Sequence, residues 1–536
     1  MISRLHSLAR LMFVLVAVAL VLGGSGVAAV SAADGAGQGE YSYAIVAAKK
    51  TLQDSDWKKV VDTLQNKHSA KIFTYDKEIV GHEHQGLKGL QKALATMHPD
   101  FVCFVARIDE LAQNAKVQAQ GRTRDGRTVE LQIPLCSVYY HEAGVLMRTL
   151  DDDPYDDARW TVLTGATPED AMRVISAKPL TVSRGLSHVG AGWMDEMEAG
   201  ASFSEGEQGR KWTKMPGKEN KEVEGPKDTT EQYVKALNSN KVDMVSSSGH
   251  ATEDDWQMGY SYKNGQIVIA SLIKRMPEPV QKKYQELLAD PRYGDVVSKL
   301  FGVDTSGNVH AITTNNPKIY YAVGNCLIGH VNGEDCMLLG WIHHGAVQFF
   351  GHVGVQTNSC YAWGIVEYFL SLQGRFTFAE AVWLNQQALY WEVSRMNDQE
   401  KQQKYICCRN FRPLQIGPRL LWETVVLYGD PVWEARLKPT REPLYDQKMD
   451  IKKLPNGSEE ITFTVTMRRE ASPSRPAAFL LAPAKISDLK VKEGPENLVV
   501  ADNFALVPFW KSGDPAPPVG KEFKAVVTVK RAPLRK

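Results

Sequence analysis

A thiol and an imidazole in this chain follow the same local pattern. The run Val242-Asp-Met-Val245 leads through Ser246-Ser-Ser-Gly to His250, and Ile319-Tyr-Tyr-Ala-Val323 leads through Gly324-Asn to Cys326. Each run is short and apolar, reads as a β-strand, and ends in a turn of small residues. In open α/β sheets, ligands and catalytic groups sit at the carboxyl ends of strands. One His and one Cys at two such ends are the parts of a thiol nucleophile with its base. The same residues also admit a core histidine and a buried structural cysteine, since free Cys is among the most buried residue types. Accessibility of Cys326 beside His250 separates the two readings.

Other clusters invite different chemistry. His82-Glu-His84 and His343-His344 suggest metal ligation, because residues at i and i+2 share one face of a strand. Neither has a third ligand at a recognised spacing, and the helical His-Glu-x-x-His pattern is absent, so no metal ligand set is assigned. The run Asp151-Asp-Asp-Pro-Tyr-Asp-Asp157 offers oxygen ligands suited to calcium, an acidic pocket for a basic side chain, or a solvated loop. The seven cysteines are Cys103, Cys136, Cys326, Cys336, Cys360, Cys407 and Cys408. An odd count in an exported chain leaves one thiol over, and Cys326 is the candidate. Cys407 and Cys408 are not expected to pair with each other, since a vicinal disulfide is strained.

The elements that must position these groups can be read along the chain. Arg4 and Arg10 precede an apolar run of 12 residues, Leu11 to Leu22, and Val30-Ser31-Ala32 offers a cleavage point. This is an export signal over residues 1–32, too short for a comfortable membrane span, and it implies a secreted, periplasmic or cell-surface protein with no membrane attachment after cleavage. The 536 residues are 43% hydrophobic and carry a net charge of +1, so charge gives no reason to expect a nucleic-acid partner. Tyr43 to Ala47, Lys71 to Tyr75 and Phe101 to Val105 read as strands. They alternate with helical runs at Asp56–Leu64, with Asp54 or Ser55 as cap, and at Leu87–Met97. That alternation specifies a mostly parallel sheet flanked by helices. Residues 202–230 are charged and poor in apolar side chains, and read as a linker or exposed loop where processing could act. The α/β pattern resumes over 231–437, with a helix at Thr377–Val393. From 448 to 536 the strictly alternating Glu460–Met467 and several short strands separated by Pro, Gly and Asn describe a small β-sandwich.

Taken together, these features resemble the gingipain-type cysteine peptidases of the caspase-like clan. The resemblance rests on three features: the strand–Ser-Gly-His250 end; Asn-Cys326-Leu-Ile-Gly329 followed by Asp335-Cys-Met-Leu-Leu-Gly-Trp341 and Gly345-Ala-Val-Gln-Phe-Phe-Gly351; and Leu427-Tyr-Gly-Asp-Pro431, similar to that family's Leu-Gly-Asp-Pro box. Ala251 stands where the family usually has Gly. The His-to-Cys separation is longer than the family's, and Ile267–Thr314 reads as an insertion. The resemblance implies a caspase-like fold of two α/β subdomains, 41–201 and 231–437, followed by an immunoglobulin-like sandwich, and an endopeptidase acting on a polypeptide substrate. Cys326 would attack a peptide carbonyl and His250 would protonate the leaving amine. Backbone N–H groups of Gly249, Ala251 and Cys326 would bind the oxyanion. Asp243 or Glu253 could orient the imidazole, and Trp256, Tyr361 and Trp363 could line the substrate pocket. No cofactor is required. The rival is a non-catalytic extracytoplasmic binding or assembly protein on the same fold. A metal-dependent hydrolase using the His pairs is a third reading.

Overall fold

The computed structural model describes residues 41–76, 79–80, 83–123, 128–135, 137–190, 192–290, 298–354, 364–395, 411–413, 425–511 and 513–534, with backbone only for 115–135 and 411–413. The proposed export signal lies outside them. Among the described residues no helix is long and apolar enough to cross a membrane. Residues Ser42–Lys536 form one compact unit.

Its centre is a 12-stranded sheet. The strands are β1 (Tyr43–Ala48), β2 (Lys71–Tyr75), β3 (Phe101–Val105), β4 (Arg159–Leu163), β5 (Arg184–His188), β6 (Ala199–Phe203), β7 (Arg210–Lys214), β8 (Lys221–Glu224), β9 (Met244–Ser247), β10 (Lys318–Ala322), β11 (Ala346–His352) and β12 (Val425–Tyr428). They lie in the order β8-β7-β6-β5-β9-β10-β11-β12-β4-β3-β1-β2. Strands β2, β1, β3, β4 and β12 are mutually parallel, and so are β11, β10, β9, β5 and β6. The two sets meet at the antiparallel pair β11·β12. Every residue of β1, β3, β9, β10, β11 and β12 is buried. Strands covered on both faces need apolar runs rather than alternation, and β1, β3 and β12 supply them, while β9, β10 and β11 also bury Ser246, Ser247, Lys318, Gln348 and His352.

Helices flank this sheet. Asp54 caps Ser55–His68 by accepting from Asp56 N and Trp57 N, and Thr377 with Glu380 forms a capping box on Phe378–Ser394. The Tyr428-Gly-Asp-Pro motif acts as an anchor. The fully buried Asp430 carboxylate accepts from His68 Nε2 at 2.8 Å, Lys67 Nζ at 2.9 Å and Tyr43 OH at 3.1 Å. Burial opposes its charge, but the His68 hydrogen bond and the Lys67 charge outweigh it and hold the carboxyl well below its usual range.

Two segments differ from expectation, and a third gains detail. Residues 202–230 are no linker: β7 and β8 form an antiparallel hairpin that extends the sheet edge. Charged strands are stable there because charges pair across strands, with Arg210 Nε 2.9 Å from Glu222 Oε1, while Trp212 is buried. The segment read as an insertion, Ile267–Thr314, holds a helix at Glu278–Ala289 and most of a small sheet of Asp255–Gln257, Gln266–Ile269, Leu300–Val303 and Val309–Ala311, whose first strand precedes it. It has its own core of Val268, Ile273, Tyr284, Phe301, Val303 and Ala311. A hairpin of Ala115–Thr123 and Thr128–Leu135 was not anticipated from the sequence.

The C-terminal strands form a four-stranded and a three-stranded antiparallel sheet. Phe463 of one meets Phe479 of the other at 4.8 Å. This region is fastened to the rest of the chain. Arg469 Nη1 lies 2.7 Å from Glu196 Oε1, Tyr368 OH donates to Pro476 O, and Phe504 packs edge-on against Tyr155 and Trp383.

Candidate active site

Strands β9 and β10 are direct parallel neighbours, with Ser247 opposite Ala322. His250 and Cys326 therefore follow adjacent strand ends at the same edge of the sheet. His250 is exposed, and Tyr260 stacks on its ring at 5.2 Å. Cys326 is half-buried and carries a thiol rather than a disulfide, as do Cys103 and Cys336. Those two are buried, and burial pushes both thiols up to about 12. Of these three described cysteines, only Cys326 has access to solvent.

Both turns are sharply built. Gly249 has φ +107°, and a Cβ there would lie 2.8 Å from Gln257 O. Leu327, immediately after Cys326, has φ +55°, a left-handed conformation uncommon for a residue with a side chain and frequent at functional turns. The two turns are also joined. Asn325, fully buried, donates from Nδ2 to Gly249 O at 3.2 Å and accepts at Oδ1 from Ser247 Oγ at 2.7 Å. The Ser247 hydroxyl in turn lies 2.7 Å from Tyr320 OH. Val323 N donates to Ser247 O at 2.8 Å.

The backbone around His250 is partly committed. Gln257 N donates to His250 O and Thr252 N to Asp255 O, so the bridge between Ala251 and Trp256 does not use the Ala251 N–H. Leu327 N donates to Gly354 O.

The carboxylates nearest in sequence are held elsewhere. Asp243 precedes β9, at the opposite end of the strand from His250. Its Oδ2 accepts from Ser183 N, Ser183 Oγ and Arg184 N, each at 2.9 Å. Glu253 Oε1 lies 2.8 Å from His330 Nδ1, and His330 Nε2 lies 3.1 Å from Asn114 Oδ1. Burial opposes ionisation of Glu253, yet the His330 hydrogen bond prevails and lowers its pKa. Glu253 thus braces the loop after Cys326 to the loop after His250.

Trp256 is fully buried against His188 and Tyr233 rather than lining a cleft, because its Nε1 donates to Ser248 O at 2.7 Å and its ring completes an aromatic cluster. It supports the His250 turn from inside. Tyr361 and Trp363 lie outside the described residues, as do His82, Cys136, Cys360, Cys407 and Cys408.

Two residues that sequence reasoning missed lie beside these turns. Glu205, just beyond β6, holds the Tyr260 and Ser261 N–H groups on its carbonyl. Its half-buried carboxyl is hydrogen-bonded to the Ser248 side chain and raised in pKa by burial, while Oε2 has no hydrogen-bond partner. His352, at the end of β11, lies with Nε2 3.4 Å from Val323 O and is lowered to about 4 by burial. The only signal for these residues is their place at the carboxyl ends of parallel strands.

Elsewhere, His344 has both ring nitrogens on backbone groups, Thr314 O at 3.1 Å and Lys299 N at 3.0 Å. His343 Nδ1 lies 3.2 Å from Asp170. The pair is therefore not arranged as a two-histidine metal site. Asp151, Asp153 and Asp157 bring carboxylate oxygens within 4.8 Å of one another, an all-oxygen set of the kind calcium takes.

No protein-family model and no curated protein matches the sequence. Among solved structures the chain is similar to gingipain R, an Arg-specific cysteine proteinase, with 11% identity and a TM-score of 0.37 over 92% of this chain and 93% of that one.

Proposed function

We propose that the chain is an exported cysteine endopeptidase in which Cys326 is the nucleophile and His250 its acid/base. One observation carries the reading: a half-buried thiol and an exposed imidazole follow the carboxyl ends of adjacent parallel strands. The proton of the thiol passes to the imidazole. The sulfur attacks the peptide carbonyl carbon, and the negative oxygen is received by backbone N–H groups near Gly249, Ala251 and Cys326. Collapse of the tetrahedral intermediate expels the amine, which takes the proton from His250. Water, deprotonated by the same imidazole, then releases the acid from the thioester.

Several further features belong to this proposal. The C-terminal sheets would be the immunoglobulin-like sandwich, following two caspase-like α/β subdomains. Residues 1–32 would direct export and be removed, leaving a secreted, periplasmic or cell-surface enzyme that uses neither nucleic acid nor membrane as a partner. The Glu205 carboxyl beside Ser248 would give the site an acidic wall, favouring a basic substrate side chain.

The test is hydrolysis of a peptide set with basic, acidic and apolar side chains before the scissile bond, comparing wild type with Cys326→Ala. Cleavage that vanishes in the variant supports the peptidase. If wild-type protein cleaves nothing that Cys326→Ala leaves intact, the non-catalytic binding or assembly reading replaces it.

A further inference from the structure

We propose that Asn325 is the positioning residue of the site: its amide fixes the His250 turn against the Cys326 turn, the task that neither Asp243 nor Glu253 performs. The inference rests on the dyad proposed above and goes beyond it.

The hydrogen-bond chain has a determined direction. Ser247 has one hydroxyl proton, and it goes to Asn325 Oδ1 at 2.7 Å. At its 2.7 Å contact with Tyr320 OH, Ser247 must then accept, so Tyr320 donates. Burial pushes the Tyr320 phenol up, which keeps it protonated and able to donate. The chain therefore runs from Tyr320 OH to Ser247 Oγ to Asn325 Oδ1. The other end of the amide, Nδ2–H, is aimed at Gly249 O at 3.2 Å. Tyr320 and Asn325 belong to the Cys326 arm, and Ser247 and Gly249 to the His250 arm. All three links cross between the arms.

The position suits a neutral amide alone. Only a group with an acceptor and a donor on the same planar head meets the Ser247 hydroxyl and the Gly249 carbonyl together. A carboxylate would meet Ser247 but face the Gly249 oxygen with like charge. A buried network of this kind has value only when every member is satisfied. Gly249 sits at φ +107° and directly precedes His250, so its carbonyl orientation sets where the imidazole starts. Asn325 directly precedes Cys326. One side chain thus touches the backbone of one arm and is covalently next to the nucleophile of the other.

The experiment follows alkylation of Cys326 by iodoacetamide from pH 5 to 9, read by mass spectrometry, in wild type, His250→Ala, Asn325→Asp and Ser247→Ala. Peptide hydrolysis is measured alongside. His250→Ala defines the profile of the thiol without its imidazole. Asn325→Asp is expected to move the profile to that of His250→Ala. It should lower kcat by about 10²-fold, the scale of a displacement near 1 Å, with a much smaller change in KM. Ser247→Ala should shift the profile the same way by less, and add little on the Asn325→Asp background, because the two act through one chain. Should Asn325→Asp fail to melt cooperatively, Ser247→Ala alone decides. Profiles of the folded Asn325 and Ser247 variants that overlay wild type would overturn the proposal while leaving the dyad standing. A His250→Ala profile that overlays wild type would remove the dyad, and the role of Asn325 with it.

Discussion

Native protein exposed to iodoacetamide at pH 7 should label at Cys326 and spare Cys103 and Cys336. The size of the contrast follows from the burial of those two thiols, which pushes both up to about 12. Alkylation needs the thiolate, so at pH 7 each presents a reactive fraction of about 10⁻⁵, against about 3% for a solvent-exposed thiol of ordinary pKa. Cys326 should thus outpace them by about three orders of magnitude even with no help from His250. Enclosure of Cys103 and Cys336 in the core adds to the difference, since reagent reaches them only through opening of the fold. Activation by the imidazole is a separate increment. It appears as labelling faster than that of a small reference thiol such as glutathione, and His250→Ala should remove it. The assay is quenched labelling with peptide-level mass spectrometry, repeated in denaturant to show that all sites are equally reactive once unfolded. Equal native rates at Cys326 and Cys103 would refute the placement of Cys326 at an accessible strand end. A large contrast without any excess over glutathione would keep the placement and sink the activated nucleophile.

Three more outcomes are expected. Burial and the neighbouring Asp151 and Asp153 charges raise the Asp157 carboxyl to about 9, so the folded state holds a proton there that the unfolded chain, near 4, releases. Its contribution is complete below pH 4 and lost as pH rises toward 9. Asp157→Asn should therefore flatten the fall and gain about 2 kcal/mol in urea unfolding at pH 8, reduced from the full shift by solvent screening. A stabilisation larger at pH 5 than at pH 8 would contradict the sign. Gly249→Ala meets both a left-handed φ and a 2.8 Å approach to Gln257 O. It should cost about 1–3 kcal/mol in thermal unfolding and abolish hydrolysis, and a variant as active as wild type would show that this turn is not needed in its present form. Arg469→Ala removes the 2.7 Å ion pair to Glu196, whose carboxylate keeps Gln373 Nε2 at 2.9 Å and Arg441 at 4.0 Å. It should cost about 1–2 kcal/mol, since Glu196 retains those partners, while melting stays a single transition; appearance of a second transition would mean that the sheets unfold independently.

Where burial was complete or periodicity strict, the sequence was legible. Phe101–Val105 is an uninterrupted apolar run, and Ala346–Phe350 is apolar but for Gln348, because both faces are covered. Glu459–Met467 alternates because one face meets the opposing sheet. Asp54 announced its helix because a cap is a local device. Strands β7 and β8 were hidden for the opposite reason. At a sheet edge, Arg210 and Glu222 stabilise each other across the pair, and composition alone makes such a strand look like solvated loop.

The site divides along the same line. His250 and Cys326 were readable because each ends a recognisable strand. The groups that link their two turns were not, because their partners are remote in sequence. Proximity along the chain nominated Asp243 and Glu253, but a carboxylate goes where donors are concentrated. For Asp243 those are the Ser183 and Arg184 N–H groups starting β5, and for Glu253 the ring of His330. Tertiary structure had already committed both charges. What lies between the two strand ends is a neutral amide, and its Ser247 and Gly249 partners stand beside it only because β9 and β10 are paired in this register. A one-residue slip would turn Ser247 to the other face and unlink the turns. Pairing register, rather than any motif, therefore determines whether this thiol and imidazole can act as a unit.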